Sequence, residues 1–378
     1  MDQNLRTQLQ YDAQKKSITA AYILWLFLGS FGAHRFYLGH MTSGAVQLGL
    51  LLLGSCLASL AIGASGTSLW QGVWRALSGA EISQMERVIL WDIRAPRTGL
   101  GLLVGAALAV SGTVMQGLFR NPLADPGIVG VSAGAGLGAI TAIVLGGLLP
   151  STVAAGLGYA LVPVAAFVGG GVSVVLLYIV STRNGQTSVA TMLLAGIALS
   201  AMVSAVSGVM IYLADDAQLR DLTFWGLGSL AGATWSKLLA AMPLMVLGLL
   251  GAPLLARSLD TLALGEIAAQ HMGIDIQRMK RLAVVIVAAS VGAAVAVSGG
   301  VGFVGIVVPH LLRLMTGPSH APLILNSALL GASILLLADM ISRVIVAPAE
   351  LPIGIIMALI GGPFFLWVLI KRRGFAGV

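Results

Sequence analysis

TGLGLLVGAALAVSGTVMQGL, residues 98–118, carries no charged side chain. A hydrocarbon core about 30 Å thick is crossed by about 20 helical residues, so this stretch is long and apolar enough to span a membrane. Its glycines and alanines recur among leucines and valines, leaving narrow faces where another helix backbone can come close. Outward from it, apolar segments fall at 45–64, 129–149, 157–180, 190–212, 236–256, 282–300, 303–315, 323–346 and 352–370, with a shorter one at 18–33. Composition follows the same rule: 58% of residues are hydrophobic, 9% are charged and 49 are glycine. A soluble domain carries about 25% charged residues, and a chain with so few cannot clothe a water-facing surface. The sequence therefore predicts an all-α polytopic membrane protein, with a ten-helix core and one additional N-terminal hydrophobic helix.

Charge placement orients these spans. Lys371, Arg372 and Arg373 close the chain and are expected to keep the C-terminus cytoplasmic. Counting back places Arg257, Arg278, Lys280 and Arg281 inside, with Arg183 and Arg120, and places Asp215 and Asp216 outside. Arg94 and Arg97 fall outside against the rule, as do Lys15 and Lys16. The formal charge of +7 forms no nucleic-acid-binding stripe. Cys56 is the sole cysteine, which excludes disulfides and thiolate clusters. Residues 1–17 are polar and show no cleavable signal, and the tryptophans of 65–93 suit a helix at the membrane boundary. A further short interfacial helix is expected over 220–231.

GAALAVSG at 105–112 matches GAAVAVSG at 292–299, differing only at Leu108 and Val295. The same spacing pairs Arg94 with Arg281 and Pro122 with Pro309. In the orientation above, one copy runs outside-to-inside and the other inside-to-outside. Two inverted five-helix repeats follow, at about 45–212 and 236–370. Inverted repeats commonly build pathways whose two ends open in turn, so transport leads over a channel or a structural membrane protein.

LDTLALGEIAAQHMGIDIQRMKR, residues 259–281, is too polar to span. Leu262, Leu264, Ile267 and Met272 are expected on one partly buried face, with Glu266 and the basic residues exposed. The segment is either a platform for a cytoplasmic partner or a plain amphipathic connector. FRNPLADPGIVG, 119–130, reads as a tight turn in which Asn121 and Asp125 cap neighbouring helix starts. No catalytic constellation is present: the five histidines are dispersed, and neither HExxH nor a phosphate loop occurs. GLGSLAG, 226–232, lacks the strand–turn–helix context of a dinucleotide site. Arg94 and Arg97 share a helix face, and Arg343 lies at the same outer level. They either receive carboxylates from an external protein or contact lipid headgroups.

Over about 45–373 the chain resembles the FecCD-type permeases, the membrane subunits of ABC importers for iron-siderophore, heme and vitamin B12. The stretches that carry the resemblance are DIRAPRTGLGLLVGAALAVSGTVMQGLFRNPLADPGIVG, LALGEIAAQHMG, AVSGGVGFVGIVVPHLLRL, LLLADMISRVIVAPAELPIG and ALIGGPFF. It implies a permease domain at 45–378 that works as a homodimer in the bacterial inner membrane, with the pathway between the two copies. Two cytoplasmic ATPase subunits, carrying ATP and Mg, would couple at Leu262, Leu264, Gly265, Glu266, Ala269, Met272 and Gly273. A periplasmic substrate-binding protein would dock on Arg94, Arg97 and Arg343. Gly105, Ser111, Gly112, Gln116, Asn121, Pro122, Ser298, Gly299 and Pro309 would pack and shape the pathway. No cofactor or metal is expected to stay on this chain.

Residues 1–44 depart from that pattern. LFLGSFGAHRFYLGHMTSGAVQL resembles the start of a TM2 domain, a two-helix membrane module whose second helix merges into the first permease span. YLADDAQLRDLTFWGLGSLAGATW, 212–235, resembles the heme branch more than the vitamin B12 branch. Heme is therefore the expected cargo, ahead of ferric siderophore and cobalamin.

Overall fold

A computed structural model describes residues 41–63, 83–150 and 156–373, with positions 35 and 152 alone. The apolar segment at 18–33, most of the GAHRFYLG turn, Trp70 and Trp74 lie outside them. In chain order the helices are α1 Met41–Ala61, α2 Gln84–Leu118, α3 Val131–Leu148, α4 Leu161–Ser181, α5 Val189–Leu213, α6 Asp216–Leu227 and α7 Trp235–Leu262. They continue with α8 Glu266–His271, α9 Ile276–Ser298, α10 Val304–Thr316, α11 His320–Val344 and α12 Ile353–Arg373. Among the described residues, eight of these are long and apolar enough to cross a membrane, and α10 and α12 are shorter apolar helices. A two-stranded hairpin, β1 Thr182–Arg183 and β2 Gln186–Thr187, joins α4 to α5.

The largest departure from the expected boundaries is α2. It runs unbroken from Gln84, where a boundary helix and a separate span from 98 were expected. Pro96 has no amide hydrogen and should break an α-helix. The turns over Val88–Arg94 are π-helical instead, and the Ala95 amide bonds back to the Leu90 carbonyl. That shift leaves the Trp91 carbonyl for the Trp235 indole, whose Nε1 donates to it at 2.9 Å. The expected short helix at 220–231 forms earlier, as α6, because Asp215 and Gln218 make a capping box at its start.

α2 is the most buried span and packs against α11, α9, α10 and α7. The repeated octapeptides sit in this core. Residues 105–112 are all buried, and of 292–299 only Val297 is part-exposed. A Cβ on Gly105 would come within 2.5 Å of the Gly331 carbonyl oxygen, and one on Gly112 would overlap the Gly305 carbonyl. Both obstacles are backbone, so neither can rotate aside. Gly112→Val is therefore expected to cost more than the 1–3 kcal/mol typical of overpacking, seen as a loss of folded protein and of thermal stability in detergent. Wild-type melting of that variant would refute the close approach of α2 and α10. At the opposite extreme, α5 buries only Met192, Gly196 and Ser207 within one chain.

Candidate functional site

Two polar clusters mark the two ends of the bundle. At one end α1, α2 and α11 converge. Asp339 is fully buried in α11 and accepts from Arg97 Nε and Nη2 at 2.8–3.2 Å. It also accepts from Nε and Nη2 of Arg343, one helical turn along. Arg97 Nη1 reaches Glu350, while Arg343 Nη1 donates to the Ser59 carbonyl at 2.8 Å. Arg94 Nη1 donates to the carbonyls of Leu60 and Ala61 at 2.8 and 3.0 Å. These are the last carbonyls of α1, which have no partner inside the helix and carry its negative dipole end. Ser59 and Thr98 join their hydroxyls at 2.8 Å beside them.

The structure thus brings Arg94, Arg97 and Arg343 together, as their common level in the sequence implied. It corrects their exposure: at 4%, 4% and 3% they are buried, held by carboxylates and helix-end carbonyls instead of lying open to solvent. Asp339 escaped the sequence reading. Its signal was present, because an acidic residue inside an apolar run seldom stands without a partner, and Arg343 follows at the i,i+4 position.

At the other end, α7 runs on into a short polar segment that carries α8. Gly265 (φ +109°) and Gly273 (φ +80°) bracket α8 with backbone conformations that side-chain-bearing residues rarely adopt. Leu262 and Ala269 are buried, whereas Leu264, Ile267 and Met272 are 71%, 75% and 45% exposed. The expected face is therefore reversed: three of its four large apolar residues point out, and Glu266 turns inward to pair with Lys280 at 2.9 Å. Lys280, expected in solvent with its basic neighbours, is buried. A second tie holds the same segment. Asp260 of α7 accepts from the His320 backbone amide at 2.9 Å and meets His320 Nδ1 at 2.6 Å, at the start of α11.

The remaining expected site residues lie in or beside the core. Ser111 is buried on α2, and Gln116 Nε2 donates to the Ile306 carbonyl at 3.3 Å. Pro309 is buried in α10, and Ser298 bonds back to the Ala294 carbonyl just before Gly299 turns the chain. In the 119–130 turn, Asp125 caps the Gly127 amide, as the sequence suggested. Burial raises its carboxyl above the usual range, and the Gly127 bond opposes that shift. Asn121 bonds the Leu123 amide instead of capping a helix, and Pro122 is half-buried beside it. Among the described residues no three His, Cys, Asp or Glu side chains converge as a metal site would require.

The model of the FecCD transport family matches residues 50–371. The chain belongs to that family. A TM2 domain model matches residues 14–63, so the two models overlap over 50–63, the second half of α1 and the residues just after it. The hemin transport system permease protein of Yersinia pestis is 43% identical over 332 residues, covering 87% of this chain and 96% of that protein. The vitamin B12 import system permease protein of Shigella boydii is 40% identical over 330 residues, covering 86% and 94%. A solved structure of an ABC transporter of metal-chelate type, inward-facing, superposes with a TM-score of 0.76 at 31% identity. It covers 87% of this chain and 99% of its own. The chain is thus a multi-pass permease of the ABC importer class.

Proposed function

We propose that this chain is the membrane subunit of a binding-protein-dependent heme importer, working as a homodimer in the bacterial inner membrane. The observation that carries the reading is the platform. Leu264, Ile267 and Met272 hold apolar side chains outward on a segment braced by the Lys280–Glu266 ion pair and the His320–Asp260 hydrogen bonds. An exposed apolar cluster on a braced support suits a protein partner, and here the partner is a cytoplasmic ATPase carrying ATP and Mg. That end of the bundle then faces the cytoplasm, together with the C-terminus.

The opposite end faces the periplasm and receives the substrate-binding protein. Among the described residues, Arg94, Arg97 and Arg343 share this end with Asp339 and Glu350. An acidic side chain of the binding protein would compete for guanidinium groups now held by carboxylates and α1 carbonyls. Docking of this kind is expected to weaken as salt rises. The little-buried α5 supplies a face for the second copy and for the pathway between them.

Heme as cargo is favoured by the hemin permease relative, while the vitamin B12 relatives make a corrinoid the natural competitor. Proteoliposomes holding the permease, its ATPase and its binding protein should accumulate heme, with ferric siderophore and cobalamin competing weakly. Uptake of cobalamin or siderophore with no heme movement would overturn the cargo assignment and leave the importer reading in place.

A further inference from the structure

We infer that Lys280 is a positioning residue that ties the platform helix α8 to the β1–β2 hairpin and, through it, to α5. The inference rests on the importer reading above and concerns how movement at the platform reaches the pathway. The Lys280 ammonium is buried and makes three hydrogen bonds: to both carboxylate oxygens of Glu266 at 2.9 and 3.0 Å, and to the Thr187 carbonyl at 2.9 Å. An ammonium has three donors, so all are engaged. One turn earlier on α9, Gln277 Oε1 accepts from the Thr187 amide at 2.8 Å. Both backbone groups of Thr187 are thus clamped by side chains of α9, and one of those side chains also grips α8.

The hairpin leaves little slack between that clamp and α5. Thr182 pairs with Thr187 and Arg183 with Gln186, their hydroxyls at 182 and 187 meeting at 2.9 Å. The turn is Asn184–Gly185, with φ of 52° and 75°, the dipeptide that two-residue hairpins favour. The Ser188 amide closes the base on the Ser181 carbonyl, and the Ser188 hydroxyl caps α5 by accepting from the Thr191 amide. α8, in contrast, is bounded by glycines at both ends that contact nothing within 4 Å of a would-be Cβ. Gly265 and Gly273 bond back to the Leu262 and Gln270 carbonyls, Ala269 is buried, and the Glu266 carboxylate on Lys280 is the side-chain tie that joins α8 to α9 and the hairpin. A push on α8 therefore passes by way of one buried charge to the hairpin and to the first turn of α5. Glu266, which the resemblance groups with the ATPase-coupling residues, contributes to that coupling through Lys280.

The test uses the full chain, reconstituted with its ATPase and binding protein, in a Cys56→Ser background with spin labels at Gln186→Cys and Gln270→Cys. Lys280→Met is expected to lower cargo uptake per ATP hydrolysed by about tenfold and to broaden the label-to-label distance distribution. Gln277→Leu leaves the ion pair intact and should shift both readouts the same way by less, while Lys280→Arg should recover part of each. Unchanged uptake per ATP in Lys280→Met would overturn the inference, as would lost uptake with an unchanged distance distribution. Failure of the importer reading shows elsewhere, as absence of ATP-dependent uptake in the parent chain. A broadened distribution in solubilised Lys280→Met would then still support the tether.

Discussion

Asp339→Ala is expected to abolish recovery of folded protein from membranes. The side chain is wholly buried and is the shared acceptor of Arg97 and Arg343, themselves buried. Truncation leaves two guanidinium groups facing one another without the charge between them. Removing one partner of a buried ion pair costs about 3–5 kcal/mol, against a total stability of about 5–15 kcal/mol for ordinary folded proteins. The geometry also predicts a partial rescue. Arg97 keeps Glu350 at 3.0 Å, so adding Arg343→Met to Asp339→Ala removes the worse-placed charge and should restore part of the yield. Size-exclusion profiles of fluorescent fusions would show both effects. A monodisperse, wild-type profile for Asp339→Ala would mean that the cluster contributes little to the fold.

Leu264→Glu combined with Ile267→Glu is expected to do the opposite, leaving the fold intact and removing the ATPase. Both side chains point away from the bundle, so a carboxylate at either position meets water and should leave thermal stability unchanged. Central apolar anchors of an interface are worth about 2 kcal/mol or more each, or roughly 30-fold in affinity. Losing two should end co-purification with the ATPase. Undiminished co-purification would place the ATPase elsewhere and remove the main support for the importer mechanism.

Much of the fold was legible because membrane spans write themselves in composition and length. The segment expected at 303–315 is α10 at Val304–Thr316, and that at 190–212 is α5 at Val189–Leu213. Boundaries failed where backbone geometry overrode hydropathy. Pro96 signals a break, and only the π-helical turns before it let α2 continue. At the site, charge type and rough level were legible, which is why the three arginines were grouped correctly. Their burial was not, because positive-outside residues look the same in sequence whether they meet lipid, a partner or an inward carboxylate. The platform face was read inside out for a related reason. A helix of six residues is too short for periodicity to fix which side is buried, and Lys280 lies well along the chain from Glu266. The Asn184–Gly185 turn was an available hairpin signal that the apolar segments around it obscured.

The most direct measurement is heme accumulation in proteoliposomes that contain the permease with its ATPase and loaded binding protein, with and without ATP on the ATPase side. Accumulation above the outside concentration, seen only when all three proteins and ATP are present, is the predicted result. Equilibration of heme across the membrane without ATP or the binding protein would contradict it and identify a passive channel.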